Sequence, residues 1–228
     1  MSAEPTSPSL TEPSARPTRK TRSSRRSKAE LLDVATAEFA RVGYFGARVD
    51  EIAAKSSTTK RMIYYYFGDK DGLFTAVLEH AYADIRAAEK ALDLSGLPPR
   101  EALARLIDHT LRWHAAHPEL ARLVASENAL DATHLRQSSR QAGTNLPILQ
   151  TLDDILARGR ADGSFVRDVA AVDLHLQMSA IALFRITNAP TIEATFGVRM
   201  NTPESLDAAV AALTEMVTTW LSAPEPRA

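Results

Sequence analysis

Apolar residues recur at helical spacing along nearly the whole chain. Leu31, Ala35, Phe39 and Val42 mark one face of a first helix, which Gly43 is suited to stop. Ser27 and Glu30 fit a capping box at its start. A short helix is expected over 48–55 with Val49, Ile52 and Ala53 inward, then a polar turn Ser56-Ser57-Thr58. A second short helix follows over 59–67, with Thr59 as cap, Ile63 and Phe67 on one face, and Gly68 ending it. Asp69 can cap a long helix whose stripe is Leu73, Phe74, Val77, Leu78, Ala81, Tyr82 and Ile85. Gly96 and Pro98-Pro99 end that region. Further helices are expected over 100–116, from Pro118 through Leu130, and over 146–161, 170–187 and 203–221. The helix at 170–187 is apolar all round, so it needs burial on all sides. No alternating strand pattern exceeds a few residues. The pattern predicts an all-α protein, with a three-helix N-terminal helix-turn-helix domain and a larger helical C-terminal domain.

Residues 1–26 break the pattern. They are rich in Pro, Ser and Thr with Leu10 as the sole large aliphatic residue, and too little apolar surface is available to order them. A disordered basic arm over 1–26, a helix-turn-helix head over 27–72, a larger helical body over 73–222 and a tail over 223–228 are the expected divisions. The 228 residues carry no cysteine, which removes disulfide scaffolds, thiolate zinc sites and thiol nucleophiles. No apolar run approaches a membrane span and no signal-peptide core is present, so no membrane partner and a cytoplasmic location are expected. The formal net charge of -1 conceals a division: residues 1–70 sum to +5 and residues 71–228 to -6. Seven basic residues and no acidic one lie within 16–28. Such asymmetry suggests an N-terminal part that meets a polyanion, with a solubilising tail as the alternative.

Two short helices across a tight turn form a helix-turn-helix pattern, with 59–67 as the recognition helix. Lys60 and Arg61 lie at its N-terminal end and can donate to guanine O6 and N7. Thr58 and Thr59 offer hydroxyls, and the helix start offers free amides to a phosphate. Arg48 and Lys70 are further phosphate candidates. Spacing alone leaves DNA binding and three merely amphipathic helices both open. Tyr64, Tyr65 and Tyr66 weigh toward function, because helical neighbours point about 100° apart and cannot all be core.

These residues carry a resemblance. Ser27 to Tyr82 resembles the DNA-binding domain of the TetR family of bacterial repressors, through Leu31–Gly43 with Phe39, Val49-Asp50-Glu51-Ile52-Ala53, KRMIYYYFGDK over 60–70, and Leu73-Phe74-Thr75-Ala76-Val77. Ala47 departs from a usual Thr cap, Ser57-Thr58 from a usual Gly-Val, and Tyr66 from a common His. The resemblance implies a homodimer on near-palindromic operator DNA, with half-sites roughly 34–36 Å or multiples apart. It implies Lys60, Arg61, Met62 and Tyr65 as base-facing residues, and Arg48, Thr59, Tyr64, Tyr66 and Lys70 as phosphate contacts. It also implies repression relieved by a small-molecule effector. Segment 16–26 could add backbone or minor-groove contacts.

For the remainder, the family implies a regulatory domain that dimerises through its last two long helices. The sequence supports this independently, since 170–187 and 203–221 carry broad apolar faces that a four-helix interface would bury, with a helix central in its own subunit as the alternative for 170–187. A looser resemblance at His117-Pro118-Glu119, Arg122-Leu123, Glu127-Asn128 and His134-Leu135 is to regulators of small-ring catabolism, of the pyrimidine and nicotinate type. Trp113, Asn128, Met178, Phe184 and Arg185 are candidate effector contacts. Trp113 and Phe184 also read as core, and Arg185 as either an acidic-ligand anchor or an interface ion pair. His109, His114, His117 and Glu119 cluster in sequence, but their spacing and Pro118 place them on different faces, unlike a zinc pair on one helix. With no Gly-rich phosphate loop or nucleophile motif, neither catalysis, metal nor cofactor is expected.

Overall fold

The computed structural model describes residues 19–138 and 146–224. They form eleven helices and no strand: α1 Arg19–Gly46, α2 Val49–Lys55, α3 Lys60–Phe67, α4 Lys70–Lys90, α5 Pro99–Ala116, α6 Pro118–Asn128, α7 Thr133–Gln137, α8 Leu146–Ala161, α9 Ala171–Thr187, α10 Ala189–Phe196 and α11 Pro203–Ser222.

Local chemistry explains most boundaries. Thr59 caps α3 by accepting from the Met62 amide, Asp69 caps α4 from Gly72, and Thr202 caps α11 from Ser205. Pro sits in the first turn of α5, α6, α10 and α11, where a missing N–H costs nothing. Gly68 ends α3 at φ 81°, and Gly43 breaks α1 at φ 72°, a region other residues rarely enter.

Several sequence expectations need correction. The first helix begins at Arg19, not Ser27, so Ser27 lies inside the helix and not at its cap position. After Pro17 nothing breaks a helix, and Arg and Lys propagate one well. The rest of the expected arm, 1–18, lies outside the described residues, as does 225–228 of the expected tail. The residue capping α2 is Arg48, without a side-chain hydrogen bond, while Ala47 is buried beside it. Two short helices, α7 and α10, were absent from the periodicity.

The apolar stripes assemble two cores. One joins α1, α2, α3, α4 and α6: Leu31, Ala35, Phe39, Ile52, Ile63, Leu73, Phe74, Val77, Leu78, Ile85, Leu120 and Leu123 are all buried in it. The other joins α5, α8, α9 and α11 around Leu103, Leu106, Ile107, Leu152, Ile155, Leu174, Met178, Leu213 and Leu221. A division at 72–73 cuts through the first core, because α4 and α6 complete the hydrophobic floor under the head. The looser motif of the sequence is a clasp at this junction. Glu127, wholly buried on α6, accepts from the amides of His134 at 2.7 Å and Leu135 at 2.9 Å and pairs with His134 Nδ1 at 2.8 Å. The His134 ring packs on Tyr44 and Phe74, each with centroids 4.9 Å apart. Ala132, at φ 55°, turns the chain so that α7 starts over that carboxylate.

α9 is only half covered within the protomer. Ala171, Leu174, Met178 and Ala182 face the core, while Ala180 and Phe184 are exposed. On α11, Leu213, Val217 and Leu221 face inward while Ala208, Ala211, Ala212, Met216 and Trp220 are exposed. Both helices pack on α5 or its core, and Phe184 and Met216 are left exposed on their outer faces, while the Trp220 ring carries the Arg167 guanidinium 5.0 Å over it.

Candidate functional site

The α2–α3 pair has the geometry that a recognition element requires. α3 is anchored by one fully buried residue, Ile63, with Tyr66 and Phe67 packed at the core's edge. The rest of its surface is free to face outward. Lys60, Arg61, Tyr64 and Tyr65 are exposed, Tyr65 to 78%, and Met62 is half-buried. Large aromatic surface left in water at that level calls for a partner. Beside the helix start, Arg48 and Thr59 are exposed and Thr58 is half-buried. Arg48, Thr58, Thr59, Lys60 and Arg61 therefore fall around the N-terminus of α3, while Tyr66 and Lys70 lie toward and beyond its other end.

Two of the cations are already engaged. Lys60 Nζ lies 2.8 Å from Asp50 on α2, whose hydrogen bond raises the lysine pKa, and 5.9 Å from the Tyr64 ring centroid. Lys70 Nζ sits 4.6 Å over the Tyr44 ring. Arg61 has neither kind of partner among the described residues, so it is the most available donor on α3. Lys28 of α1 stands 5.0 Å over the Phe67 ring. That contact brings α1 at Lys28 to the C-terminal end of α3.

The head is also braced against α1. Glu38, buried, accepts from Arg41 at 2.7 Å and from Lys55 at 2.5 Å. These hydrogen bonds, outweighing burial, hold its carboxyl down at about 2.

Residues 31–77 match the family model for bacterial regulatory proteins of the tetR family, and residues 99–217 match the tetracyclin repressor-like C-terminal domain. The chain belongs to the TetR family. It is 31% identical over 173 residues to the HTH-type transcriptional repressor NicS of Pseudomonas putida, covering 76% of this chain and 82% of that one. A second HTH-type transcriptional repressor, from Streptomyces coelicolor, is 44% identical over 99 residues, 42% of this chain and 47% of its own length. The HTH-type transcriptional regulator RutR of Escherichia coli is 29% identical over 100 residues, 44% of this chain and 47% of its own. Among solved structures, a tetR-family regulatory protein from Rhodococcus superposes with a TM-score of 0.67 at 17% identity, covering 88% of this chain and 99% of that one. FadR of Bacillus subtilis in complex with stearoyl-CoA superposes at 0.61 and 18%, covering 84% and 98%. As a TetR-family member, this is an all-α, DNA-binding transcriptional regulator. No helix among its described residues is long and apolar enough to cross a membrane.

The TetR body contains cavities, and they redistribute the expected effector residues. Trp113 lines an open groove between α1, α4 and the α5–α6 corner, where it stacks on His117 at 4.3 Å. Arg185 lines another cavity near α11, but its guanidinium donates to the Met200 carbonyl and to Ser205 Oγ, which ties α9 to the segment before α11. Met178 is core, Asn128 is exposed at the end of α6, and Phe184 is on the outer face of α9. The five residues thus do not meet, because their helices turn them to different sides. A third cavity, of about 270 Å³, lies between α4, α5, α6, α8 and α9 and gathers Tyr82, Arg86, His114, His175 and Ser179. These were missed. The available signal was a cation one turn beyond Tyr82 on the apolar side of α4, and a histidine within the most apolar helix.

Proposed function

We propose that this TetR-family protein is a homodimeric transcriptional repressor that leaves a near-palindromic operator when a small molecule enters its helical body. The observation that carries the reading is α3 itself, anchored by Ile63 with Tyr66 and Phe67 at the core's edge, while Lys60, Arg61, Tyr64 and Tyr65 are left exposed together. Lys60, Arg61, Met62 and Tyr65 are the base-facing set. Arg48, Thr58, Thr59, Tyr64, Tyr66 and Lys70 are the phosphate set, positioning the helix without reading sequence. Lys60 exchanges Asp50 for DNA on docking. The basic segment 16–26 adds backbone or minor-groove contacts, a reading its charge supports.

Repression, as opposed to activation, is supported by the names of two relatives. Dimerisation through 170–187 and 203–221 is supported by the uncovered apolar faces of α9 and α11. Effector control is supported by α4, which packs on α3 at its start and lines the 270 Å³ cavity further along. A ligand that prefers one position of α4 therefore biases the head, and operator DNA must weaken that ligand's binding by the same factor.

Arg61→Ala tests the core of the reading. Measured by fluorescence anisotropy on a selected operator and its single-base variants, it should cost about 1–3 kcal/mol and relax preference at one base position per half-site. A uniform loss over all sequences would reassign Arg61 to the phosphate set.

A further inference from the structure

The cavity between α4, α5, α6, α8 and α9 carries a charge signature that its apolar walls do not require. Ile85, Leu120, Val124, Leu149 and Leu183 supply those walls. Among them stands Arg86, whose side chain is only 12% exposed. Its Nε and Nη1 atoms are buried and find no hydrogen-bond partner among the described residues. Glu89 approaches Nη1 to 2.6 Å but off the line of a hydrogen bond, and it does not line the cavity. Burial pushes the Glu89 carboxyl up to about 7, so at neutral pH it balances the Arg86 charge only in part. The nearby Glu127 carboxylate is occupied by His134 and Leu135. No Asp or Glu is among the described residues that line the cavity.

A second group points the same way. His114 is 95% buried, and its Nδ1 has no partner among the described residues. Burial first, then the Arg86 charge, lowers His114 to about 4, and the same two causes lower His175. At neutral pH both imidazoles are uncharged, which leaves Arg86 as the fixed cation with His114, His175, Tyr82 and Ser179 as neutral hydrogen-bonding groups around it. Buried polar groups without partners are costly, and a cation so placed is costlier still. Such a site has a natural complement.

We propose that the effector of this protein is a small, mostly apolar organic carboxylate. Its carboxylate is taken up by Arg86 with help from the neutral polar groups, and its hydrocarbon part lies against Ile85, Leu120, Val124, Leu149 and Leu183. The inference rests on effector control as read above and names the class of molecule. At about 270 Å³ the cavity falls just under the range for drug-sized ligands, so a single ring or a short chain fills it. Guanidinium and carboxylate match in charge and planar geometry, which a neutral amide of the same shape cannot reproduce.

The test uses the full chain and paired probes: benzoate against benzamide, and hexanoate against hexanamide, each by titration calorimetry and thermal shift. At least one carboxylate should bind tenfold or more tightly than its amide and raise Tm, because ligand bound only to the folded state stabilises it. Arg86→Met should abolish that preference, and a control charge removal at the exposed Arg105→Met should preserve it. The wild-type comparison of acid with amide decides the matter even where Arg86→Met does not fold. Equal binding of acid and amide, or no carboxylate binding at 10-fold molar excesses up to about 10 mM, overturns the proposal. Operator binding by the same preparation is measured separately. Sequence-specific DNA binding without carboxylate preference sinks this inference and leaves the regulator intact, whereas loss of specific DNA binding sinks the regulator whatever the probes do.

Discussion

Replacing Phe184 and Met216 together by glutamate separates a dimer face from a solvated one. Phe184, Met216 and Trp220 are left 38–65% exposed on α9 and α11, among exposed alanines at 180, 208, 211 and 212. Fully burying a side chain of this size stabilises by roughly 1.5–3 kcal/mol, so the half that remains uncovered is worth about 1 kcal/mol each. Two positions in two protomers then supply about 4 kcal/mol, or roughly 10³ in the dimer dissociation constant. Four desolvated carboxylates across a two-fold axis weaken association further. Sedimentation equilibrium reads the effect. Wild type should be dimeric at micromolar concentration and the double variant monomeric, with unchanged helical content by circular dichroism. A double variant that remains as dimeric as wild type would refute the assignment of this face, and so would a monomeric wild type.

Other outcomes follow from the same geometry. Glu38→Gln removes a carboxylate whose folded pKa of about 2 lies below its ordinary value of 4.5, so its stabilisation is present above pH 4.5 and lost as pH falls toward 2. Its partners Arg41 and Lys55 are half-exposed and screened, so about 1–2 kcal/mol is expected at pH 7; urea melts of both proteins should converge near pH 2. Glu127→Ala strands two amides and His134 at the junction and should cost about 2–4 kcal/mol in the same melts, far more than Glu119→Ala on the same helix. Deleting residues 1–26 should reduce the salt dependence of operator binding, and an unchanged slope would remove the basic segment from the interface.

What could be read from the sequence was whatever is encoded within a few residues. Thr59, Asp69 and Thr202 cap the helices they precede, and Gly43 and Gly68 mark real breaks, because capping and positive φ are decided locally. The exposed face of α3 was legible for the same reason: three consecutive tyrosines point about 100° apart and cannot all face one core, and Tyr64 and Tyr65 are the ones left exposed. The upstream extension of α1 was missed because Ser27 and Glu30 mimic a start signal inside a segment that contains no breaker. α7 was illegible because its five residues depend on Glu127, a carboxylate delivered by another helix, and α10 because its eight residues carry no extended stripe. The effector candidates failed to converge because each was chosen for its own chemistry. Trp113, Met178 and Arg185 already have neighbours of their own, whereas Arg86, His114 and His175 meet only once three helices have packed.

The central claim is that the α3 face reads a particular DNA sequence, and footprinting on genomic fragments tests it most directly. Fragments selected by the full-length protein and probed at physiological salt with competitor DNA should share a near-palindromic site, with half-sites about one helical turn or a multiple apart and protection at least 10³-fold stronger than on flanking DNA. Uniform coating without a preferred site, retained after Arg61→Ala, would contradict it.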